Sequence, residues 1–371
     1  MLSILLLPLL SILALAAPLE SRAPKYNVTS MNEALKRGSG ILGSYSKCSG
    51  SLCSWMSKVS DTTKITDMSI PGTHDTASWD YTLLKQLSYL KYTEIIYPSA
   101  LYRCGTQSIF AQLAAGNRAF DLRVGFAPNG KDLVFFHSEA LLDINARFED
   151  VIQGFYRFLE ENPTESLLIS VKDENATWGT TQALQQSLYT TLTSSVAQSY
   201  VNPSTSISST ALAAVRGKMT ILRRFALDHL SSSQQSLGID LTNGWSDNNA
   251  DFSLTTPSGD KVFIEDLYEP KADKIGLTPN VNLKLNATTT HISASSSKSK
   301  GDGLYITFAS SEQAYQLLFP QVMAQGLIVP GVNQGLKKWL TTGQGKGLKK
   351  KGIVFTDFAS ETSGLVEALI A

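Results

Sequence analysis

Short apolar runs of β-forming residues alternate along the chain with stretches whose apolar positions recur at helical spacing. Eight runs read as strands: residues 65–70, 118–124, 133–137, 166–172, 218–224, 261–266, 304–308 and 352–357. Between several of them, residues 107–115, 146–161, 182–194, 313–325 and 361–370 carry the three-and-four spacing of amphipathic helices. Strands alternating with helices predict a mostly parallel sheet. Eight of them predict an α/β protein, a distorted (β/α)8 TIM barrel in one domain. Two stretches break the pattern. The second and third runs are joined by the turn Pro128-Asn129-Gly130-Lys131, too short for a parallel crossover. Residues 271–300, rich in Ser, Thr, Asn and Lys, read as an excursion or long loop.

Composition narrows the class. The 371 residues are 43% hydrophobic and 17% charged, too apolar for a disordered chain and ample for a large core. Lys+Arg number 32 and Asp+Glu 32, so there is no cationic excess of the kind a generic nucleic-acid binder needs. No interior run is long and apolar enough to suggest a membrane span. Residues 2–16 are almost wholly apolar and end in small residues, which reads as a secretory signal peptide over 1–17, although the usual Lys or Arg is lacking. A membrane anchor is the alternative, and the shortness of the run disfavours it. An N-terminal segment, 18–60, then precedes a barrel domain over 61–371. The expected location is secreted and extracellular, and the expected state a monomer.

Secretion fits the sequons at Asn27, Asn175 and Asn286, candidate glycosylation sites. In an oxidising compartment Cys48 and Cys53, close together in a Ser/Gly-rich stretch, are expected to form a small disulfide, leaving Cys104 unpaired. No second Cys/His pair has the spacing of a zinc site, and only four histidines occur.

The chemistry gathers where the strand-like runs end, the end of a barrel at which reacting groups sit. Those ends read Pro71-Gly72-Thr73-His74-Asp75, Asp121-Leu122-Arg123, Phe135-Phe136-His137, Lys172-Asp173-Glu174, Arg223-Arg224-Phe225, Glu265-Asp266-Leu267-Tyr268 and Thr356-Asp357. Two histidines, several carboxylates and several arginines in such positions point to general acid–base catalysis on a phosphate. Imidazole exchanges protons near neutrality, and guanidinium offers fixed charge and paired donors to phosphate oxygens. A buried His satisfied by a backbone carbonyl is the bland reading of His137. His74, which a Pro-Gly turn is expected to place on a sharply positioned loop, is harder to dismiss.

These residues resemble the X-domain of phosphatidylinositol-specific phospholipases C. The likeness is carried by Ser69-Ile70-Pro71-Gly72-Thr73-His74-Asp75, Ala119-Phe120-Asp121-Leu122-Arg123 and Phe136-His137, within a stretch from about Ile65 to Asp357. It is to the compact, secreted, bacterial-type enzymes rather than the multidomain calcium-dependent ones. The resemblance implies a PLC-like phosphodiesterase barrel that cleaves phosphatidylinositol, or GPI anchors, at a membrane surface. The products would be inositol 1,2-cyclic phosphate and diacylglycerol, and slow hydrolysis of the cyclic ester could follow. By that resemblance His74 is the general base oriented by Asp357, and His137 the general acid partnered by Asp75. Lys172, Arg224, Asp266 and Tyr268 would bind the inositol ring, with Glu174 and Asp121 weaker candidates in the same pocket.

Arg123 stands where calcium-dependent relatives carry a metal-holding carboxylate. A guanidinium cannot ligate calcium but can neutralise phosphoryl oxygen, so no cofactor and no metal are expected. Two readings compete. One is a metal-dependent glycerophosphodiester or choline-lipid phosphodiesterase, the other a non-catalytic inositol- or glycan-binding protein of the same fold. The motif departs from the family's usual Ser-Gly in continuing Thr76-Ala77-Ser78-Trp79, and residues 76–103 are long enough to reshape the entrance to the site. The segment 343–351 reads as a solvated loop or, with Lys337, Lys338 and Lys349 to Lys351, as a basic rim for anionic lipid. Trp79, Tyr81, Trp245 and Trp339 are core or interfacial aromatics, and His229 and His291 are expected at the surface.

Overall fold

The computed structural model describes residues 23–93, 96–175 and 178–371, the Asn175 side chain excepted, so the signal-peptide reading lies outside the described residues. Eleven strands form one sheet: β1 (Ser69–Thr73), β2 (Ala119–Phe126), β3 (Leu133–His137), β4 (Ala140–Asp143), β5 (Leu167–Asn175), β6 (Met219–Arg224), β7 (Ile239–Asp240), β8 (Phe252–Thr255), β9 (Lys261–Glu265), β10 (Leu304–Phe308) and β11 (Gly352–Thr356). The order β7-β6-β5-β2-β1-β11-β10-β9 is parallel throughout, which is the (β/α)8 barrel expected from the alternating pattern. The distortion is an open seam. Among the described residues no pairing joins β7 to β8 or β9, and β8 runs antiparallel along β9 as a short edge.

The short Pro128–Lys131 connection makes β3 antiparallel to β2, with β4 folding back on β3, so His137 reaches the barrel mouth from outside the parallel ring. The first strand also sits later than the pattern predicts. Residues Ile65–Asp67 form a 3-10 turn, and Pro71-Gly72 lies inside β1 rather than in a turn after it. Proline is tolerated there because β2 pairs only from Gly72 upward, and the Gly116 carbonyl accepts from the Trp55 indole, 2.9 Å away. Gly72 is required by close approach. A Cβ there would meet the Ala119 Cβ at 2.7 Å and the Phe355 ring at 2.8 Å.

The expected loop over 271–300 is instead the 21-residue helix Leu277–Ser297. Its buried face is polar, with Asn280, Lys284, Thr288, His291 and Ser295 recurring at helical spacing, so an apolar pattern could not disclose it. Lys284 Nζ meets Glu265 Oε1 at 2.7 Å with both side chains buried, and His291 Nδ1 lies 2.8 Å from Thr307 Oγ1. His291 is thus a core histidine and not a surface one, whereas His229 is exposed. The helices expected over 313–325 and 361–370 are cut to Pro320–Gln325 and Leu365–Ile370, each preceded by a 3-10 turn.

Ahead of the barrel, helix Val28–Arg37 packs on helix Phe148–Glu161, where Arg37 grips the buried Asp150 carboxylate at 2.7 Å. Cys48 and Cys53 are joined as a disulfide, and Cys104 is free and buried. Asn27 caps the first helix at the surface, and Asn286 is exposed. Gly72→Ala is expected to destabilise the fold by about 1–3 kcal/mol through overpacking, read as a lowered midpoint in urea with unchanged slope.

Candidate active site

All the candidate chemistry stands at the carboxyl ends of the strands. Three of the cations share one level of the sheet, because register pairs Arg123 with Lys172 and Lys172 with Arg224 across β2, β5 and β6. Two residues below on β2, Asp121 faces the same way and accepts from the Ser170 hydroxyl at 3.0 Å. At the end of β1 the chain turns sharply. Asp75 takes left-handed backbone angles (φ 41°), a conformation Asp tolerates better than most residues. His74 is thereby turned to the cavity and Asp75 sinks beneath it.

His74 and His137 face each other across one cavity, ring centroids 6.0 Å apart and planes perpendicular. His74 Nδ1 lies 2.9 Å from Asp357 Oδ1, and Nε2 lies 2.7 Å from Arg123 Nη2. A guanidinium only donates and a carboxylate only accepts, so these partners assign Nδ1–H to His74 and leave a lone pair on Nε2. His137 Nδ1 lies 2.8 Å from the Tyr102 carbonyl and 3.1 Å from Asp75 Oδ2. Arg123 is surrounded by Asp75, Asp121 and Glu174 at 3.3, 3.2 and 3.4 Å.

The charges set distinct protonation states. Burial works against a charged His74, but the Asp357 carboxylate outweighs it and raises the ring above the ordinary histidine value. Burial, then Arg123 and His74, push His137 down to about 3. Burial raises Asp75 to about 7 against the opposing pull of Arg123 and His74. Between about pH 3 and 7 the Asp75–His137 pair therefore holds one proton beyond the neutral ring's own N–H, and burial favours it on the carboxyl over a charged imidazolium. Burial would raise Asp121 and Glu174 too, but Arg123 with Arg224, and Arg123 with Lys172, hold them below the usual carboxylate range.

The cavity, about 250 Å³, is lined by His74, His137, Arg123, Lys172, Glu174, Arg224, Asp266, Tyr268 and Asp357, while Asp75 and Asp121 lie buried beneath its floor. Sequence reasoning missed its other parts. Trp245 is no interfacial residue: it stacks on the Arg224 guanidinium at 3.7 Å, and its indole donates to Asp266 at 2.9 Å. Asp247, Ser311 and Glu312 also line the cavity, whereas Cys104, its Sγ 3.9 Å from His137 Nδ1, lies outside it. None of these carries a local sequence signal.

Of the residues in the alternative reading as a basic rim, Lys338 and Lys349 are exposed and Lys337 is half-buried, but two are not at the surface. Lys350 and Lys351 are buried just before β11, at the opposite end of that strand from Asp357, and Lys350 reaches Asp67 at 3.5 Å. Tyr81 is buried, and Trp79 is tied to the Ile41 carbonyl. Besides Val28, Tyr97, Ile275, Tyr315 and Leu317, the apolar side chains that face outward include two groups, Leu83, Leu84, Leu87 and Leu90 on helix Leu83–Thr93, and Leu327, Ile328 and Val329. Both groups follow strands at the mouth end, and helix Pro320–Gln325 packs on helix Ser99–Tyr102 between them.

One imidazole with a lone pair, a second coupled to a proton and a fixed guanidinium beside them can transfer protons on both sides of a phosphoryl group. The fold is a barrel of the type found in bacterial phosphatidylinositol-specific phospholipases C. No family model matches the chain. It is 35% identical over 125 residues to the 1-phosphatidylinositol phosphodiesterase of Listeria monocytogenes, a stretch that spans 32% of this chain and 32% of that relative. Its structure is similar to a mutant phosphatidylinositol-specific phospholipase C from Staphylococcus aureus (TM-score 0.67, 18% identity, 88% of this chain and 99% of the other). The Listeria phosphatidylinositol-specific phospholipase C superposes with TM-score 0.61 at 21% identity, over 86% of this chain and 97% of the other. The likeness to the bacterial-type family seen in the sequence is thus borne out in the fold.

Asp357 favours the charged form of His74, so its loss must lower that pKa. In Asp357→Asn the His74 ring resonances followed by NMR are expected to titrate at lower pH than in the parent, and an unchanged or raised midpoint contradicts the assignment.

Proposed function

We propose that this chain is a secreted phosphatidylinositol-specific phospholipase C that cleaves phosphatidylinositol, or GPI anchors sharing its headgroup, without a metal ion. The observation that carries the reading is the pair of imidazoles 6.0 Å apart, with Arg123 bonded to one of them. His74 Nε2 takes the proton from the inositol 2-hydroxyl, and that oxygen attacks phosphorus. The bond from phosphorus to the diacylglycerol oxygen breaks, and His137 delivers a proton to that leaving oxygen. The products are inositol 1,2-cyclic phosphate and diacylglycerol, and the substrate supplies the nucleophile.

The free site's protonation pattern must rearrange for this use. His137 is a neutral imidazole as the groups stand, so the negative phosphodiester must draw the Asp75 proton onto it as it binds. Arg123 shifts from His74 Nε2 toward the phosphoryl oxygen, freeing the lone pair for the hydroxyl. Lys172, Arg224, Asp266, Tyr268, Glu174 and Asp121 supply charge and hydrogen bonds around the inositol ring.

A lipid surface as partner is supported by the outward leucines and the Leu327–Val329 tip flanking the mouth. Among the described residues no helix is long and apolar enough to cross a membrane. The disulfide and the exposed Asn27 and Asn286 agree with secretion and glycosylation of a monomer.

Phosphorus NMR of phosphatidylinositol vesicles treated in EDTA should show inositol 1,2-cyclic phosphate accumulating. Loss of activity in EDTA with recovery on adding calcium overturns the metal-free reading. His74→Ala and His137→Ala should each lower the rate by about 10²–10⁴ while circular dichroism stays unchanged. Leu84→Ser combined with Ile328→Ser should weaken vesicle binding about tenfold or more. Hydrolysis of soluble inositol 1,2-cyclic phosphate by that double variant should be unaffected.

A further inference from the structure

Cys104 plays no part in that chemistry, yet its sulfur sits beneath both imidazoles. Three donor atoms converge around it. His137 Nδ1 is 3.9 Å from the sulfur, 3.1 Å from Asp75 Oδ2 and 2.8 Å from the Tyr102 carbonyl oxygen, which is itself 3.8 Å from the sulfur. The ligand atoms of Asp75, Cys104 and His137 all lie within 4.8 Å of one another. Zinc bonds of about 2.0–2.1 Å to nitrogen and oxygen and 2.3 Å to sulfur, arranged tetrahedrally, require ligand separations close to these.

Asp75 independently points to a ligand. Only 1% of it is exposed, and neither carboxyl oxygen has a hydrogen-bond partner, although Arg123 and His137 stand within 3.3 Å of one of them. Buried carboxylates left unsatisfied in this way are uncommon. Cys104 and Asp75 also line, with His74, a second cavity of about 20 Å³, room for one water, to which His137 and Tyr102 do not contribute. The nearby Arg123 charge opposes a cation, but Asp75, Asp121 and Glu174 already surround it.

We propose that Cys104, His137 and Asp75, with the Tyr102 carbonyl, form an inhibitory site for a thiophilic divalent cation such as Zn²⁺. Cys104 and Asp75 release their protons to solvent and bind as thiolate and carboxylate. His137 binds through Nδ1, its ring proton passing from Nδ1, where the Tyr102 carbonyl accepts it in the free site, to Nε2. The metal then holds both His137 and Asp75, so the pair can no longer pass a proton to a leaving group. Sequence spacing gives no hint of this, since the ligands come from three separate segments. The inhibitory consequence rests on the proposed lyase reaction, whereas the binding does not.

The test uses the full-length protein, soluble inositol 1,2-cyclic phosphate and buffered free Zn²⁺. The parent should lose activity at least about tenfold, with recovery in EDTA. Cys104→Ser and Cys104→Ala should keep basal activity and need about tenfold more zinc or higher. Co²⁺ gives a readout independent of turnover, a near-ultraviolet thiolate-to-metal absorption in the parent that both variants lack. Equal zinc sensitivity in the parent and either folded variant, or no cobalt band in the parent, overturns the proposal. A cobalt band without any lyase activity in metal-free protein would instead preserve the site and remove the reaction.

Discussion

The site depends on one buried cation. Asp75, Asp121 and Glu174 crowd the barrel mouth within 3.4 Å of Arg123, and burial alone would force protons onto them. The guanidinium keeps Asp121 and Glu174 ionised, while Asp75, caught between burial and the same cation, is left near neutrality. Its Nη2 also touches His74, so one side chain ties the carboxylate floor to the ring that takes up a proton. Removing the cation would strand two or three buried negative charges.

The two imidazoles differ because their surroundings differ. His74 gains a full carboxylate partner in Asp357, which holds it above the ordinary value. His137 faces a backbone carbonyl, a nearby arginine and a carboxyl that itself keeps a proton, and it is pushed down. In the free site these shifts favour a charged His74 and a neutral His137, the reverse of the base and acid roles, so a bound phosphodiester has to redistribute the protons. The open seam and the antiparallel β3 matter here too. A regular barrel would return its third strand parallel, whereas the short turn after β2 carries His137 to face His74.

Much of this was legible along the chain. The Pro-Gly-Thr-His-Asp run, the Asp121/Arg123 pair and the ionisable ends of the strands stand out because local order fixes which residues cap a barrel strand. The helix Leu277–Ser297 was not legible, since its buried face is written in Asn, Lys, Thr, His and Ser and pairs with Glu265 and Thr307 on distant strands. Lys350 and Lys351 misled in the opposite sense. A basic run reads as solvated, but the chain passes here beneath the barrel and buries both.

By itself, then, the sequence determined the alternation of elements, the parallel ring they predict and the histidines, carboxylates and arginines gathered at one end of it, because periodicity and strand ends are local properties. Only the tertiary structure decided which partners meet. The 283-residue step from His74 to Asp357, the stacking of Trp245 on Arg224 and the approach of Cys104 to His137 all follow from strand register and barrel curvature. So do the protonation states, which depend on burial and on charges brought together from strands far apart in the chain.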